Sequence, residues 1–209
     1  MENKYEVRYV TELRADNSAG IVRGTAIRFN SESVDLGGFT EIIEANPEEV
    51  RQLLDQCDVF MLYNHSADSG VLARSKNGKG TLQYTVDETG VHFEFKAKQK
   101  DLGIVESIDA GDLDGCSFAF RLSADKSAQK FEKRDNGIYL RHIYKFDDIR
   151  DFSIVTSPAY PATDVSVRSL IDQMETEELQ TQKNVDSEAE YKAKKYTEYY
   201  KRMLKKYLS

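Results

Sequence analysis

The sequence predicts an α+β protein that is mainly β-strand with flanking helices, followed by a helical C-terminal tail. Short segments in which apolar and polar residues alternate recur through most of the chain, with turn residues between them. All 12 glycines and all 3 prolines lie at or before Pro161, so residues 162–209 contain neither of the residue types that break helices. We therefore expect a turn-rich body of strands and a turn-free helical tail.

Strands are predicted where apolar residues alternate, or form a short run, between turn sequences. The predicted strands are residues 5–9, 20–29, 39–43, 59–65, 71–75, 81–86, 91–97, 116–122, 138–144 and 149–156. Residues 77–78 and 88–90 are typical of hairpin turns, and the strands on either side of residues 136–137 are expected to pair with each other. Many short strands at even spacing favour a barrel or a sandwich. Pro158 and Pro161 are expected to stop the last strand.

Two helices are predicted among the strands. Asn46 is a typical N-cap, and a proline at the first helical position and two glutamates in the first turn follow it. This helix is expected to run to about Leu54. A second helix is predicted near residues 101–110, where apolar residues recur on one side, and it should end at Gly111.

The predicted domains are a body of residues 1–166 and a charged helical tail of residues 167–209. Charge is segregated along the tail: residues 171–190 hold seven acids and one base, whereas residues 191–209 hold seven bases and one acid. Two interpretations stay open for it. The tail is either a solvated helix or flexible segment, or a docking segment or removable targeting tail.

Composition argues against several classes of function. Residues 171–209 are neutral in sum, so residues 1–170 carry the whole net charge of −7 and would repel the phosphates of nucleic acids. No apolar run is long enough for a transmembrane helix, and residues 1–6 lack the apolar core of a signal peptide, so no membrane contact and a cytoplasmic start are expected. The 2 cysteines and 3 histidines have no zinc-ligand spacing. We expect no metal and no cofactor.

The small number of histidines narrows the search for a catalytic base. His92 and His142 lie in alternating strands, on the face opposite the apolar residues, where a structural role is the simpler interpretation. His65 ends the apolar run of residues 59–65, where a turn begins, and such strand ends often present reactive groups. Composition alone still favours a structural histidine there.

Two further residues are candidates for the chemistry of a serine hydrolase. Ser117 follows Gly115 and Cys116 at the entry to an apolar strand, where glycine allows close backbone approach. Asp151 opens an apolar strand, so simple solvation explains it less well than it explains Asp147 or Asp148. Local sequence also allows an ordinary strand serine and an edge-strand charge.

Five blocks of the sequence, in order, resemble the prohead (capsid-maturation) proteases of tailed bacteriophages, across roughly residues 5–170. The blocks are Arg23-Gly24-Thr25-Ala26-Ile27-Arg28-Phe29-Asn30, Phe39-Thr40-Glu41, the strand 59–65 that ends at His65, Gly115-Cys116-Ser117-Phe118-Ala119-Phe120, and Asp151-Phe152-Ser153-Ile154-Val155-Thr156-Ser157-Pro158-Ala159-Tyr160-Pro161. The last two resemble the motifs G-x-S-F-x-F and E-x-S-x-V-x-x-P-A-x-P.

The resemblance implies a fold and a set of roles. It implies an assemblin-like β-barrel surrounded by helices, with His65 as the base, Ser117 as the nucleophile and Asp151 as the third member of the triad. The family commonly has Glu at the position of Asp151. Because Asp is one methylene shorter, its hydrogen bond to His65 requires a closer backbone.

The resemblance also implies substrates, partners and a location. The expected function is that of a serine endopeptidase that cleaves the scaffolding segment of the major capsid protein, and itself, with a possible homodimer. It would act inside the prohead in the bacterial host cytoplasm, or as the product of an integrated prophage. The alternative is a non-catalytic assembly or scaffolding protein that binds coat protein through its helical tail. A Clp-type protease fits poorly, because that family orders its triad Ser, His, Asp along the chain.

Overall fold

A computed structural model describes residues 5–156, 167, 169–176, 180, 183 and 188–197. The chain divides into two compact units, Met1–Asp164 and Val165–Ser209. In the second unit, residues 169–176 and 188–197 are helical. The segment 157–161, which includes the two prolines expected to stop the last strand, lies outside the described residues. A separate, removable tail of residues 167–209 stays a prediction.

The described part of the first unit is mostly β-sheet with two α-helices, which confirms the predicted α+β class. The strands are β1 (Glu6–Val10), β2 (Leu13–Asp16), β3 (Ile21–Arg28), β4 (Phe39–Ile43), β5 (Asp58–Tyr63), β6 (Ala73–Lys76), β7 (Lys79–Gly80), β8 (Leu82–Asp87), β9 (Gly90–Lys96), β10 (Gly115–Leu122), β11 (Gln129–Lys133), β12 (Tyr139–Ile143) and β13 (Phe146–Val155). The helices are α1 (Pro47–Leu54) and α2 (Leu102–Asp109).

The strands form three sheets. Their orders are β1-β10-β13-β5-β6-β7, β11-β12-β4 and β2-β3-β9-β8. No pairing among the described residues closes these sheets into a barrel, so the assemblin-like barrel stays a prediction.

The six-stranded sheet sets the geometry of the candidate site. In this sheet β13 pairs antiparallel with β10 and parallel with β5, which places Ser153 directly opposite Ser117. Cys116 and Phe118 point into the hydrophobic core. Because side chains alternate along a strand, Ser117 points to the other face of the sheet, together with Ser153 and, two residues before it, Asp151.

The expected pairing of residues 116–122 with residues 138–144 is wrong. The strand β10 pairs with β1 and β13, and β12 pairs with β11 and, in parallel, with β4. The turn at residues 136–137 instead closes the hairpin of β11 and β12. The sequence pattern missed β11 because Lys130, Glu132 and Lys133 are exposed, which removes the apolar alternation. The strand β2 was also not predicted.

Helix α1 begins as its sequence predicts. The side-chain oxygen of Asn46 accepts hydrogen bonds from the backbone N–H groups of Glu48 (2.9 Å) and Glu49 (3.2 Å), two of the donors that a helix start leaves without partners. Helix α2 ends before Gly111, whose φ of +83° is a left-handed conformation that glycine adopts without strain.

A buried ionic cluster, formed by Glu6, Arg8, Glu41 and Arg141, anchors the edge strand β1. Arg8 contacts Glu41 through two nitrogens, both at 2.7 Å, and Glu6 at 2.8 Å. Arg141 contacts Glu41 at 2.9 Å and Glu6 at 2.5 and 2.8 Å. Two cations thus face two carboxylates, which offsets the cost of burying each charge. The cluster joins β1 of the six-stranded sheet to β4 and β12 of the three-stranded sheet.

Candidate active site

Three side chains from different parts of the sequence form a continuous hydrogen-bonded chain. The Nδ1 atom of His65 lies 2.6 Å from Oδ1 of Asp151, and its Nε2 atom lies 2.8 Å from Oγ of Ser117. An ionised carboxylate only accepts hydrogen bonds, so Nδ1–H of His65 donates to Asp151. In the neutral imidazole, Nε2 is then free to accept the hydroxyl proton of Ser117. The structure therefore brings together the three residues singled out in the sequence.

The backbone turns sharply at His65 to aim its ring at this site. Asn64 and His65 both have left-handed φ values, +50° and +56°, which non-glycine residues seldom adopt and which concentrate at functional sites. The last strand holds this turn. The N–H of Asn64 donates to the carbonyl of Ile154 (2.9 Å), and the side-chain oxygen of Asn64 accepts the N–H of Thr156 (3.1 Å). Strand β5 accordingly ends at Tyr63, two residues before the predicted end.

Ser117 has no exposed surface. Besides Nε2 of His65, a second acceptor lies within reach of its hydroxyl, the backbone carbonyl oxygen of Arg8 at 2.9 Å. The strand β1 therefore contacts the candidate nucleophile directly, and the ionic cluster that holds the Arg8 side chain also fixes this carbonyl. Arg8 is a residue of the site that sequence reasoning missed, since only the β1–β10 pairing brings it there.

The ring of Tyr9 packs against Gly115, two residues before the candidate nucleophile. It lies opposite Ser117 in the sheet, and a Cβ atom placed on Gly115 would lie 2.0 Å from the Tyr9 ring. The small residue expected before Ser117 is thus required by a side chain from the neighbouring strand. Burial, together with the hydrogen bond to Asp114 (3.1 Å), raises the pKa of Tyr9 to about 12. Its phenol therefore stays neutral at physiological pH.

Asp151 reaches His65 although it is shorter than Glu. Its side chain is buried and receives a second hydrogen bond on Oδ1, from the hydroxyl of Ser153 at 2.7 Å. The same hydroxyl accepts the backbone N–H of His65 at 3.2 Å. Ser153 lies in the closing motif of the sequence, but the sequence alone does not assign it a role. The sequence feature that could have indicated this role is a hydroxyl two residues after Asp151, which a strand places on the same face as the carboxylate.

The two other histidines lie outside this chain of hydrogen bonds. The ring of His92 contacts the hydroxyls of Thr25 (3.0 Å) and Thr89 (2.9 Å) in the four-stranded sheet. The ring of His142 contacts Glu44 at 2.6 Å in the three-stranded sheet. His92 in β9 and His142 in β12 lie in sheets other than the one that holds Ser117.

Cys116 is the nucleophilic residue nearest in sequence to Ser117, but it faces the core. Burial raises the pKa of its thiol, so the reactive thiolate is suppressed. Within the part of the chain that the structure describes, no group of three or more His, Cys, Asp or Glu residues could hold a metal ion.

The chain matches a known protein family. The family model for the caudovirus prohead serine protease matches residues 3–177 of the 209 in the chain. The chain belongs to this family. No curated protein and no solved structure matches the chain. The family membership confirms the resemblance drawn from the five sequence blocks.

Membership in the prohead protease family implies a coarse function. Members of this family are serine peptidases with a role in capsid maturation, so the chain is expected to interact with capsid proteins. In the described segments, no helix has the length and apolar character needed to cross a membrane.

Proposed function

We propose that this prohead protease is a serine endopeptidase whose catalytic triad is Ser117, His65 and Asp151. The observation that carries the proposal is the chain of two short contacts, from Asp151 through both nitrogens of His65 to the hydroxyl of Ser117. A nucleophile, a base within hydrogen-bond reach and a third group that orients the base are together the arrangement that acyl transfer requires.

The geometry supports a two-step mechanism. His65 takes the hydroxyl proton as Ser117 attacks the carbonyl carbon of the scissile peptide bond, and Asp151 stabilises the imidazolium that forms. The imidazolium then gives the proton to the leaving amine. Water, activated by His65, hydrolyses the acyl-enzyme. The first step requires the Ser117 hydroxyl to donate to His65 rather than to the carbonyl of Arg8.

Substrate access requires a local rearrangement. Ser117 is fully buried, whereas the side chain of His65 is 24% exposed. The atoms that cover Ser117 must therefore move before a peptide carbonyl can approach within bonding distance. Catalytic contacts that tighten or rearrange upon binding are common in enzymes studied without substrate.

The proposed substrates are the scaffolding segment of the major capsid protein and the protease itself, cut inside the prohead in the host cytoplasm. Family membership supports a substrate among the capsid proteins. The charge segregation of residues 171–209 and their lack of glycine and proline support a tail that packages the enzyme and is later removed. The assemblin-like barrel and a homodimer belong to the same proposal.

Co-expression with the cognate coat protein tests this function. Wild-type protein should shorten the coat protein and, over time, its own chain, as read by mass spectrometry of intact proteins. Ser117→Ala should lower the cleavage rate by on the order of 10⁶-fold, and His65→Ala should lower it by about the same factor. Ser18→Ala is the matched control, because Ser18 is an exposed serine bonded only to Asp16.

Three results would contradict the proposal, each a different part of it. If Ser117→Ala and His65→Ala process the coat protein as fast as wild type, the triad assignment is wrong. If the coat protein binds but stays intact with the wild type and all variants, the chain is instead a non-catalytic assembly protein. A tail that is lost equally in wild type and Ser117→Ala excludes self-cleavage.

A further inference from the structure

We propose that Ser153 is a positioning residue of the active site: its hydroxyl holds the carboxylate of Asp151 and the backbone of His65 in register with each other. This inference rests on the proposed catalytic triad. The hydroxyl of Ser153 bonds Asp151 and the backbone of His65 and not the hydroxyl of Ser117. In the mechanism above it does not bind substrate, so any effect it has on catalysis passes through Asp151 and His65.

The contacts of Ser153 place it between two members of the triad. Its hydroxyl donates to Oδ1 of Asp151 at 2.7 Å and accepts the backbone N–H of His65 at 3.2 Å. The oxygen that receives this bond is also the one that contacts Nδ1 of His65. A single hydroxyl thus closes a ring of hydrogen bonds that includes the side chain and the main chain of the base.

Burial makes these contacts consequential. Ser153 is 0% exposed and Asp151 is 4% exposed, so water cannot readily replace the hydroxyl as donor or acceptor. Without it, the N–H of His65 loses its acceptor in the left-handed turn, and one donor to the buried carboxylate is lost. Buried polar groups that lose a partner shift or rotate to find another.

The strand pairing explains why this position suits a hydroxyl. Ser153 lies opposite Ser117 on one neighbouring strand and opposite Leu62 on the other, three residues before His65. Ser153 therefore lies on the same strand as Asp151, between the strand that carries Ser117 and the strand that leads to His65. An apolar side chain at this position would leave the backbone N–H of His65 without its acceptor.

The effect on catalysis should be one of geometry. Misplacement of a catalytic group by about 1 Å costs on the order of 100-fold in rate. We therefore expect Ser153→Ala to lower, by about that factor, the rate at which Ser117 attacks a bound electrophile, and to leave binding of that electrophile nearly unchanged.

The test uses a fluorophosphonate probe, which needs no knowledge of the natural substrate. The oxygen of an activated serine attacks the phosphorus of the probe, and fluoride leaves, so the serine becomes phosphonylated. The saturating labelling rate and the half-saturating concentration are measured for the full chain and for Ser153→Ala, Ser153→Thr and Ser153→Val. Thr and Val have nearly the same shape, so any strain from the added bulk is shared and the difference between them isolates the hydroxyl. We expect Thr to retain most of the labelling rate, and Val and Ala to lose about 100-fold.

A second readout does not depend on activity. The proton on Nδ1 of His65, bonded to Asp151, should give a far-downfield NMR resonance in wild type and in Ser153→Thr. In Ser153→Ala and Ser153→Val, this resonance should move or broaden, because the carboxylate is no longer held. A purely structural serine would change the melting temperature without moving this signal.

The outcomes separate this inference from the proposed function. If Ser117→Ala is labelled as fast as wild type, the triad itself is wrong. If Ser117→Ala is unlabelled, but Ser153→Val and Ser153→Thr are labelled at equal rates and show the same His65 resonance, the triad stands and the positioning role of Ser153 is overturned.

Discussion

At the residue scale, His65 is held by hydrogen bonds at both nitrogens of its ring and at its backbone N–H. The contact to Asp151 selects the tautomer, and the left-handed turn at residues 64–65 aims the ring at Ser117. Asp151 reaches Nδ1 of His65 at 2.6 Å although its side chain is one methylene shorter than that of a glutamate. Its backbone lies opposite Phe60 in the parallel pairing of β13 with β5.

Substitutions of Asp151 test how the charge and the length of this side chain contribute. Asp151→Asn keeps the shape but removes the charge that stabilises the imidazolium, so the labelling rate should fall by on the order of 10⁴-fold. Asp151→Glu keeps the charge but adds a methylene to a buried site, so its labelling rate should fall less than that of Asp151→Asn. Fluorophosphonate labelling measures both. Equal rates for Asp151→Asn and wild type would remove Asp151 from the triad.

At the element scale, the edge strand β1 connects the stability of the body to the candidate nucleophile. The ionic cluster of Glu6, Arg8, Glu41 and Arg141 fixes β1, and the carbonyl of Arg8 contacts Ser117. Each charge is buried against opposite charges, so removing one leaves the others uncompensated. The position of β1 thus depends on side chains from three separate strands.

Glu41→Gln should destabilise the protein strongly. Glu41 is 3% exposed and bonds both arginines, so its loss leaves a buried excess of positive charge and should lower the free energy of unfolding by about 3–5 kcal/mol. Glu32→Gln is the matched control. Glu32 pairs with Arg134 at the surface, where solvent and salt screen the ion pair, so its loss should destabilise the protein much less. Urea denaturation compares the two, and equal losses would contradict a special role for the cluster.

Acid should loosen the same cluster through Glu6. Burial alone would raise the pKa of Glu6, but hydrogen bonds and charge from Arg141, and then from Arg8, outweigh burial and hold the pKa below its ordinary value of 4.5. The ionised form therefore stabilises the folded state above about pH 4.5, and this stabilisation is lost as the pH falls through the lower folded-state value. Melting temperatures measured from pH 6 downward should fall more steeply in wild type than in Glu6→Gln. Parallel curves would exclude this linkage.

At the scale of the whole molecule, the chain separates into two compact units, and the family match ends within the second, at residue 177. The described strands and the three candidate triad residues all lie in the first unit. The net charge of −7 also belongs to residues 1–170, because residues 171–209 are neutral in sum. These features favour a body that holds the chemistry and a tail with a separate role.

Truncation after residue 177 tests this division. The shortened chain should fold, with a melting temperature within about 2–4 °C of the full chain, since less than about 1 kcal/mol is expected to be lost. Its fluorophosphonate labelling rate should match that of the full chain, whereas its packaging into proheads should fail. A shortened chain that unfolds or loses labelling would show that the tail is part of the catalytic unit.

The sequence by itself determined the elements whose signals are local. The N-cap at Asn46, the end of α2 at Gly111 and most strands follow from turn chemistry and apolar alternation over a few residues. The resemblance to the prohead proteases likewise rested on motifs such as those around His65 and Ser117. The sequence did not predict the strand β11, because its exposed lysines and glutamate leave no alternation of apolar and polar residues.

Only the tertiary structure decided which strands are neighbours and which side chains meet. Strand pairing depends on contacts between residues far apart in the chain, so the wrong partner was assigned to β10, and the approach of β1 to Ser117 was not foreseen. The convergence of His65, Ser117 and Asp151 has the same origin. Ser153 gained a role only when β13 was placed between β5 and β10, because a hydroxyl in a strand acquires its partners from the strands beside it.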